Sequence, residues 1–152
     1  MLIIIGIADV GRVFYYSNAI AYAAREGARH AAYYNPAGSP PGNSFDNDTS
    51  IYNTVTAADP FVTSSTLTEP YHPNDGSGKN CPNYPYAPSL FPTTANAGYV
   101  FICFNNSTTT TTAAAGQPVR VTILYNFQPV TSMLVASFHT VASAEFYVQG
   151  LQ

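Results

Sequence analysis

The chain has 152 residues, of which 9% are charged and 14% are aromatic, and its formal net charge at pH 7 is −3. This length suits one sizeable hydrophobic core beside a long helix, so we expect one globular domain and not two. The acidic balance argues against a nucleic-acid-binding protein, which needs a basic surface. Twelve tyrosines and few charges favour a surface that neighbouring subunits or sugars largely cover.

Residues 1–34 predict one long helix without an interior proline. Apolar or small residues recur along it at alternating spacings of four and three, which keeps them on one side of a helix. This seam is bulky in its first half and small in its second, so other backbones could approach the second half closely. We expect it to pack against copies of itself or a membrane. The seam consists of Ile3, Ile7, Val10, Phe14, Ser17, Ala21, Ala24, Ala28 and Ala31.

Charges on this helix occur in pairs at helical spacing, such as Asp9 with Arg12 and Glu26 with Arg29. An exposed pair of this kind contributes a few tenths of a kcal/mol to helix stability. Asp9 stands in an apolar run, and its burial would require a cation, either Arg12 or an arginine of a neighbouring subunit. We predict that these four residues and Arg25 set the register between subunits.

Residues 9–32, DVGRVFYYSNAIAYAAREGARHAA, resemble the hallmark segment of TadE-like proteins, the pilin-like subunits of tight-adherence pili in the type IV filament superfamily. In that family an aliphatic stretch leads into an aspartate, aromatic, glycine and arginine step and then an alanine-rich stretch, here AAREGAR at residues 23–29. Residues 119–129, VRVTILYNFQP, are similar to the late strand of the family. The resemblance implies an extracellular, cell-surface filament, with transient contact to the inner membrane and the pilus assembly machinery.

The N-terminus departs from many type IV pilins, which carry a glutamate where Ile5 stands here. We therefore expect either an unusual mature form that begins at Met1 or further residues upstream of it. The uninterrupted apolar run covers residues 1–8, whereas a membrane span needs about 20 residues.

The stretch after the helix predicts short elements separated by turns. Asn35 and Pro36 should end the helix. Residues 51–58 fit a short helix or a strand, and the composition of residues 54–56 favours a strand. Residues 61–68 are also β-prone, and residues 71–92 predict a surface loop rich in proline, glycine and tyrosine.

The strongest strand signals follow. Residues 99–104 are continuously apolar, as in a strand buried on both faces, and residues 119–127 alternate between apolar and polar side chains. These two strands should pair antiparallel, and residues 141–148 predict a closing strand. We predict an α+β fold, in which a long N-terminal assembly helix at residues 1–34 precedes a small antiparallel β-sheet head at residues 35–152.

Cys81 and Cys103 both lie in the predicted head. Their even number and the exported context favour one disulfide, which would stabilise the fold by about 3 kcal/mol. Two buried thiols or a metal-binding pair are the alternatives, although the pair lacks C-x-x-C spacing. The histidines at positions 30, 72 and 139 show no paired spacing, so we expect no metal site and no cofactor.

Oxygen ligands at Asp46, Asp48 and Ser50 resemble the start of a calcium loop, but the glycine and distal glutamate of an EF-hand are missing. We therefore do not favour a calcium site there. The sequence also has no phosphate-binding loop, nucleophile elbow or catalytic carboxylate pair. We therefore expect a protein that is not an enzyme.

Glycosylation is a further hypothesis, with chance occurrence of short asparagine and threonine runs as its alternative. Sugars on the threonine-rich tip would shield it on a filament exterior. The candidate sites are Asn47, Asn105, Asn106, Thr108, Thr109 and Thr110.

We interpret the chain as a structural subunit of an extracellular type IV pilus-like filament, a helical homo-oligomer that assembles through its N-terminal helices. One alternative is a minor TadE-like pseudopilin that initiates or tips a tight-adherence pilus. Another is a surface adhesin that binds carbohydrate through the tyrosine-rich loop at residues 84–91. The predicted assembly interface comprises Ile3, Ile7, Asp9, Val10, Arg12, Phe14, Ala21, Ala24, Arg25, Glu26, Ala28 and Arg29.

Overall fold

The structure is a computed structural model. It describes residues 2–33, 47–72, 77–78, 81–106, 115–130 and 137–149. In chain order its elements are α1 (Leu2–Ala32), α2 (Asp48–Ala57), β1 (Leu67–His72), β2 (Ser77–Gly78), a 3₁₀ turn (Pro88–Leu90), β3 (Ala97–Phe104), β4 (Pro118–Phe127) and β5 (Phe138–Tyr147). The predicted α+β class, a long N-terminal helix followed by a sheet, is confirmed.

The described sheet has five strands in the order β2-β1-β3-β4-β5. β3 pairs antiparallel with β4, and β4 with β5, as the sequence predicted. The expectation of a purely antiparallel sheet needs one correction, because β1 runs parallel to β3. A parallel pair requires a long crossover, and the segment that contains β2 and the 3₁₀ turn supplies it.

One face of the sheet packs against the C-terminal half of α1 and against α2. The alternation predicted for β4 places its odd-numbered residues on this face, where they form the main core with buried alanines of α1. Gly27 lies so close to Val55 of α2 that an added Cβ would meet the valine side chain. Small residues on α1 therefore allow the helix to approach both the sheet and α2. The β4 core residues are Val119, Val121, Ile123, Tyr125 and Phe127.

The opposite face of the sheet carries a second, smaller core. A disulfide joins Cys81 to Cys103, as predicted, and ties the loop before β3 to that strand. Phe101 and Leu124 pack in the same cluster. Both faces of β3 are thus covered, which explains its continuous apolar sequence.

Residues 51–57 lie in α2 and Ala58 is its C-cap, so the preference for a strand at residues 54–56 was wrong. Asn47 caps the helix, since its Oδ1 accepts a hydrogen bond from the Ser50 N–H at 2.9 Å. The Thr54 hydroxyl donates to the Ser50 carbonyl at 3.0 Å, which satisfies a side chain that otherwise disfavours a helix. Burial of Ile51 and Val55 in the core then outweighs the β propensity of the threonines.

The strand expected at residues 61–68 begins only at Leu67. Before it, the chain turns back on itself, because the Thr63 carbonyl accepts hydrogen bonds from the N–H groups of Thr66 and Leu67. The hydroxyl of Thr66 also accepts from the Thr63 N–H at 3.1 Å. Hydroxyl side chains that suit a strand also stabilise turns, and here the turn prevails.

Candidate assembly surface

The two halves of α1 differ in exposure. Ile7, Val10 and Phe14 in the first half are 68%, 59% and 69% exposed. Ala24 and Ala28, from the same predicted seam, are buried by the head of their own chain. Both alanines must therefore be removed from the predicted interface between subunits, because no surface remains on them for a second chain.

The other predicted interface residues on α1 fall into three groups. The side chain of Ile3 lies outside the described residues. Ala21 is half-buried against the core. Arg29 and Arg25 are exposed, and Arg29 donates to the Glu26 carboxylate at 2.8 Å across one helical turn. An exposed pair of this kind adds little to the stability of the fold. Because the two arginines are exposed, their charges are accessible to a neighbouring molecule.

Asp9 is buried and ties the first half of α1 to the end of the sheet. Its Oδ1 accepts a hydrogen bond from the Val130 N–H, just beyond β4, at 3.1 Å. The same oxygen lies 3.5 Å from Nη1 of Arg12, whose guanidinium also stands 5.4 Å from the centre of the Phe127 ring. The cation that the burial of Asp9 requires is therefore supplied by its own chain.

An aromatic layer anchors the middle of α1. The Tyr16 ring stacks on Tyr125 of β4 at 5.6 Å, and Tyr15 meets Phe61 edge to face at 5.1 Å. Burial, and to a smaller extent Tyr16, raises the pKa of Tyr125 to about 12, although Arg12 acts in the opposite direction. The neutral Tyr125 hydroxyl donates to the Asn96 carbonyl at 2.9 Å.

Sequence reasoning did not identify this layer. Its signal was the aromatic run at residues 14–16, in which consecutive side chains point in different directions around a helix. Tyr16 faces the sheet, whereas Phe14 faces away from it. The run therefore marks the point where α1 changes from a helix packed on its own head to one with an exposed apolar side.

The sequence model of the TadE-like protein family matches residues 1–29. This match confirms the resemblance seen in the sequence, over about a fifth of the chain. It lies almost entirely within α1, and we call these residues the TadE-like segment. No match to the chain was found among curated proteins or among solved structures.

The TadE-like segment carries the exposed apolar residues, the buried Asp9 and the Arg12 that partners it. Within the part of the chain that the structure describes, no helix is long and apolar enough to cross a membrane. The family match and the exposed surface thus coincide on one stretch of α1.

The candidate glycan sites are only partly described. Asn105 and Asn106 are exposed in the turn after β3, with φ angles of 53° and 50°. Asn106 also donates to the Glu145 carboxylate at 3.0 Å. Asn47 is exposed, but its side-chain oxygen caps α2. The threonines at positions 108–110 lie outside the described residues.

The remaining candidate ligands do not converge. Asp46 lies outside the described residues, and Oδ1 of Asp48 accepts from the Thr49 N–H within α2. Among the described residues, no three histidine, cysteine or acidic side chains stand close enough together to hold a metal ion.

In the tyrosine-rich loop, Tyr84 is 85% exposed and meets Tyr86 edge to face at 6.0 Å.

Proposed function

We propose that this protein is a structural, non-enzymatic subunit of an extracellular type IV pilus-like filament, which polymerises through the first half of α1. The exposed apolar side of the TadE-like segment carries this proposal. Fully burying a large apolar side chain contributes roughly 1.5–3 kcal/mol. Ile7, Val10 and Phe14 together therefore represent a substantial driving force for association.

The geometry of the head supports the same role. Because the second half of α1 is part of the core, and Asp9 bonds to Val130, the first half has a fixed direction relative to the sheet. Copies would thus present the same helix side at the same angle. A contact between two different surfaces, repeated from copy to copy, generates an open helical polymer when the rotation does not close.

The charges of the second half of α1 fit a role in subunit register. Arg25 and Arg29 are exposed and Glu26 is half-buried, so all three can contact a neighbouring head. Asp9 and Arg12 already have partners within the chain, and we propose that they act on register by fixing the direction of the helix.

A minor pseudopilin that initiates or tips a tight-adherence pilus is the second candidate, favoured by the family match itself. It would use the same helix side to join a filament made mainly of another protein. Abundance distinguishes the two roles, because a main subunit must account for most of the filament mass. An adhesin remains a further alternative, for which the exposed ring of Tyr84 offers a sugar-stacking surface.

Electron microscopy of the purified full-length protein tests the proposal. We expect the wild-type chain to form filaments and Phe14→Ser to remain in small species with an unchanged circular dichroism spectrum. Tyr84→Ser is the matched control, because it removes an even more exposed aromatic ring far from α1 along the chain. Filaments of Phe14→Ser as abundant as the wild type would contradict a role for this helix side. Wild-type protein that never polymerises alone would favour the minor pseudopilin.

A further inference from the structure

The two edge strands of the described sheet differ in length. β2 has two residues, whereas β5 has ten. Proteins protect long edge strands with lysine, proline, bulges or covering segments. The β5 sequence, FHTVASAEFY, has no lysine or proline and a single acidic residue, Glu145, and its register with β4 shows no bulge. Within the described part of the chain, β5 pairs only with β4.

The hydrogen-bond register shows which β5 residues face the open edge. The carbonyls of Pro118 and Asn126 accept from residues 105 and 96, so the even-numbered residues of β4 bond towards β3. Bonding alternates along an antiparallel strand, so the odd-numbered residues of β4 bond to the even-numbered residues opposite them in β5. The odd-numbered residues of β5 therefore direct their backbone groups outward. They are His139, Val141, Ser143, Glu145 and Tyr147.

We propose that a second copy of this chain pairs its β5 antiparallel with this edge, about a two-fold axis at Ala142. In this register the outward-facing backbone groups of the two strands meet. His139, whose ring stacks on Phe91 at 4.1 Å, lies opposite Glu145 of the second copy, so an imidazole faces a carboxylate that also accepts from Asn106 of its own chain. Phe138 lies opposite Phe146 of the second copy, and both rings are partly exposed in the single chain. No like charges face each other.

In such a pair the helix layers of the two copies lie on the same side of the combined sheet, because the two-fold axis is perpendicular to the sheet. α1 packs over β4 and β5. His30 lies on the side of α1 that faces α2, because its ring hydrogen-bonds to Ser50 of α2 at 3.0 Å. The opposite flank, towards the β5 edge, carries Ser17 and Ala21, and at the same helical spacing the exposed Val10 and Phe14. The α1 helices of the two copies would therefore meet through small side chains in their middle and through apolar ones nearer their N-termini.

A two-fold contact reverses the direction of one partner, so it cannot be the repeated contact of a head-to-tail filament. The β5 pair instead joins two free subunits or subunits of two separate filaments. The inference is tested separately from the proposed function, because the proteins compared in each test differ only in β5 and carry the same exposed apolar residues in the TadE-like segment.

Cysteine cross-linking of the full-length protein tests the register. Both natural cysteines are joined in a disulfide, so Ala142→Cys adds one free thiol. Residues in a non-hydrogen-bonded antiparallel pair have Cα atoms about 4.5 Å apart, within disulfide reach. Ser143→Cys is the matched control, because its counterpart is offset by two residues and lies about 8 Å away, beyond that reach.

After mild oxidation, we expect a covalent dimer of Ala142→Cys on a non-reducing denaturing gel and at least tenfold less dimer of Ser143→Cys. Peptide mapping should place the new bond at position 142. No dimer of a folded Ala142→Cys protein would overturn the proposal, and so would equal cross-linking of both variants or cross-linking of Ser143→Cys alone.

A second measurement covers the case in which Ala142→Cys does not fold, since Ala142 is buried. Val141 is exposed on the other face of β5, and a lysine there protects an edge without disturbing the core. The comparison uses the Phe14→Ser background, which removes the filaments expected of the wild-type protein. By analytical ultracentrifugation, we expect Phe14→Ser with Val141→Lys to dimerise at least tenfold more weakly than Phe14→Ser alone. Equal dimerisation, or a Phe14→Ser protein that shows no dimer, would overturn the proposal.

Discussion

The two halves of α1 follow one periodic pattern and serve different surroundings. In the second half the seam consists of alanines, which the head buries, and Gly27 lies against Val55. In the first half the seam carries Ile7, Val10 and Phe14, which stay exposed. At the seam positions, small residues stand where a layer of the same chain packs closely, and large ones where the described chain supplies no cover. Side-chain size along the seam, more than its periodicity, separates the residues that fold against the sheet from the proposed assembly surface.

The largest difference in folding stability should appear when an isoleucine in each half of α1 is replaced by alanine. Ile20→Ala removes a fully buried side chain and should lower the free energy of unfolding by about 2–5 kcal/mol. Ile7→Ala changes an exposed side chain and should alter it by less than about 0.5 kcal/mol. Urea unfolding followed by circular dichroism measures both values.

Assembly should show the reverse order. Under conditions where both variants are folded, Ile7→Ala should reduce filament yield more than Ile20→Ala does. If Ile7→Ala destabilised the head as strongly as Ile20→Ala, the first half of α1 would belong to the folding core and the contrast between the halves would be lost.

Removing the disulfide tests whether the stability of the head and the assembly of filaments can be changed separately. Replacing Cys81 and Cys103 together by serine opens a loop with a sequence separation of 22 residues, which should cost about 3 kcal/mol of unfolding free energy. The bond lies on the sheet face opposite α1, so folded double mutant should still form filaments. Loss of filaments at temperatures where the head remains folded would show that the disulfide face takes part in assembly.

Much of this fold could be predicted from local patterns. The alternation of β4 and the apolar run of β3 specified two central strands and their pairing, because each strand's burial is recorded in its own sequence. The alanine-rich half of α1 predicted a close approach of other backbones, although the layer that approaches it is the sheet of its own chain. The TadE-like segment was recognisable because its charged and glycine positions form a distinctive order.

The errors arose where the decisive contact is distant in sequence. α2 is a helix because Ile51 and Val55 are buried in the main core, Val55 beside Gly27, and the composition of residues 54–56 does not reveal these contacts. The parallel pairing of β1 depends on a crossover through a long loop. The division of the seam likewise depends on the sheet, which covers Ala24 and Ala28 but not Phe14.

We predict a smaller folding effect for Asp9 than for Ile20 or the disulfide, because Asp9 ties only the first half of α1 to the end of the sheet. Asp9→Ala should lower the free energy of unfolding by about 1 kcal/mol, because the Val130 N–H loses its side-chain acceptor and Arg12 loses its counter-charge. Asp9→Asn keeps an acceptor oxygen and should cost less. Urea unfolding of the two variants provides the comparison.

Filament yield gives the second readout for Asp9, and we expect Asp9→Ala to impair assembly more than it alters the folding of the head. The reason is geometric, because a looser link at Val130 changes the angle of the first half of α1 while the buried half keeps its packing. Asp9→Asn, which keeps the link, should assemble better than Asp9→Ala. Normal filaments from Asp9→Ala would mean that the aromatic layer around Tyr16 alone fixes the direction of the helix.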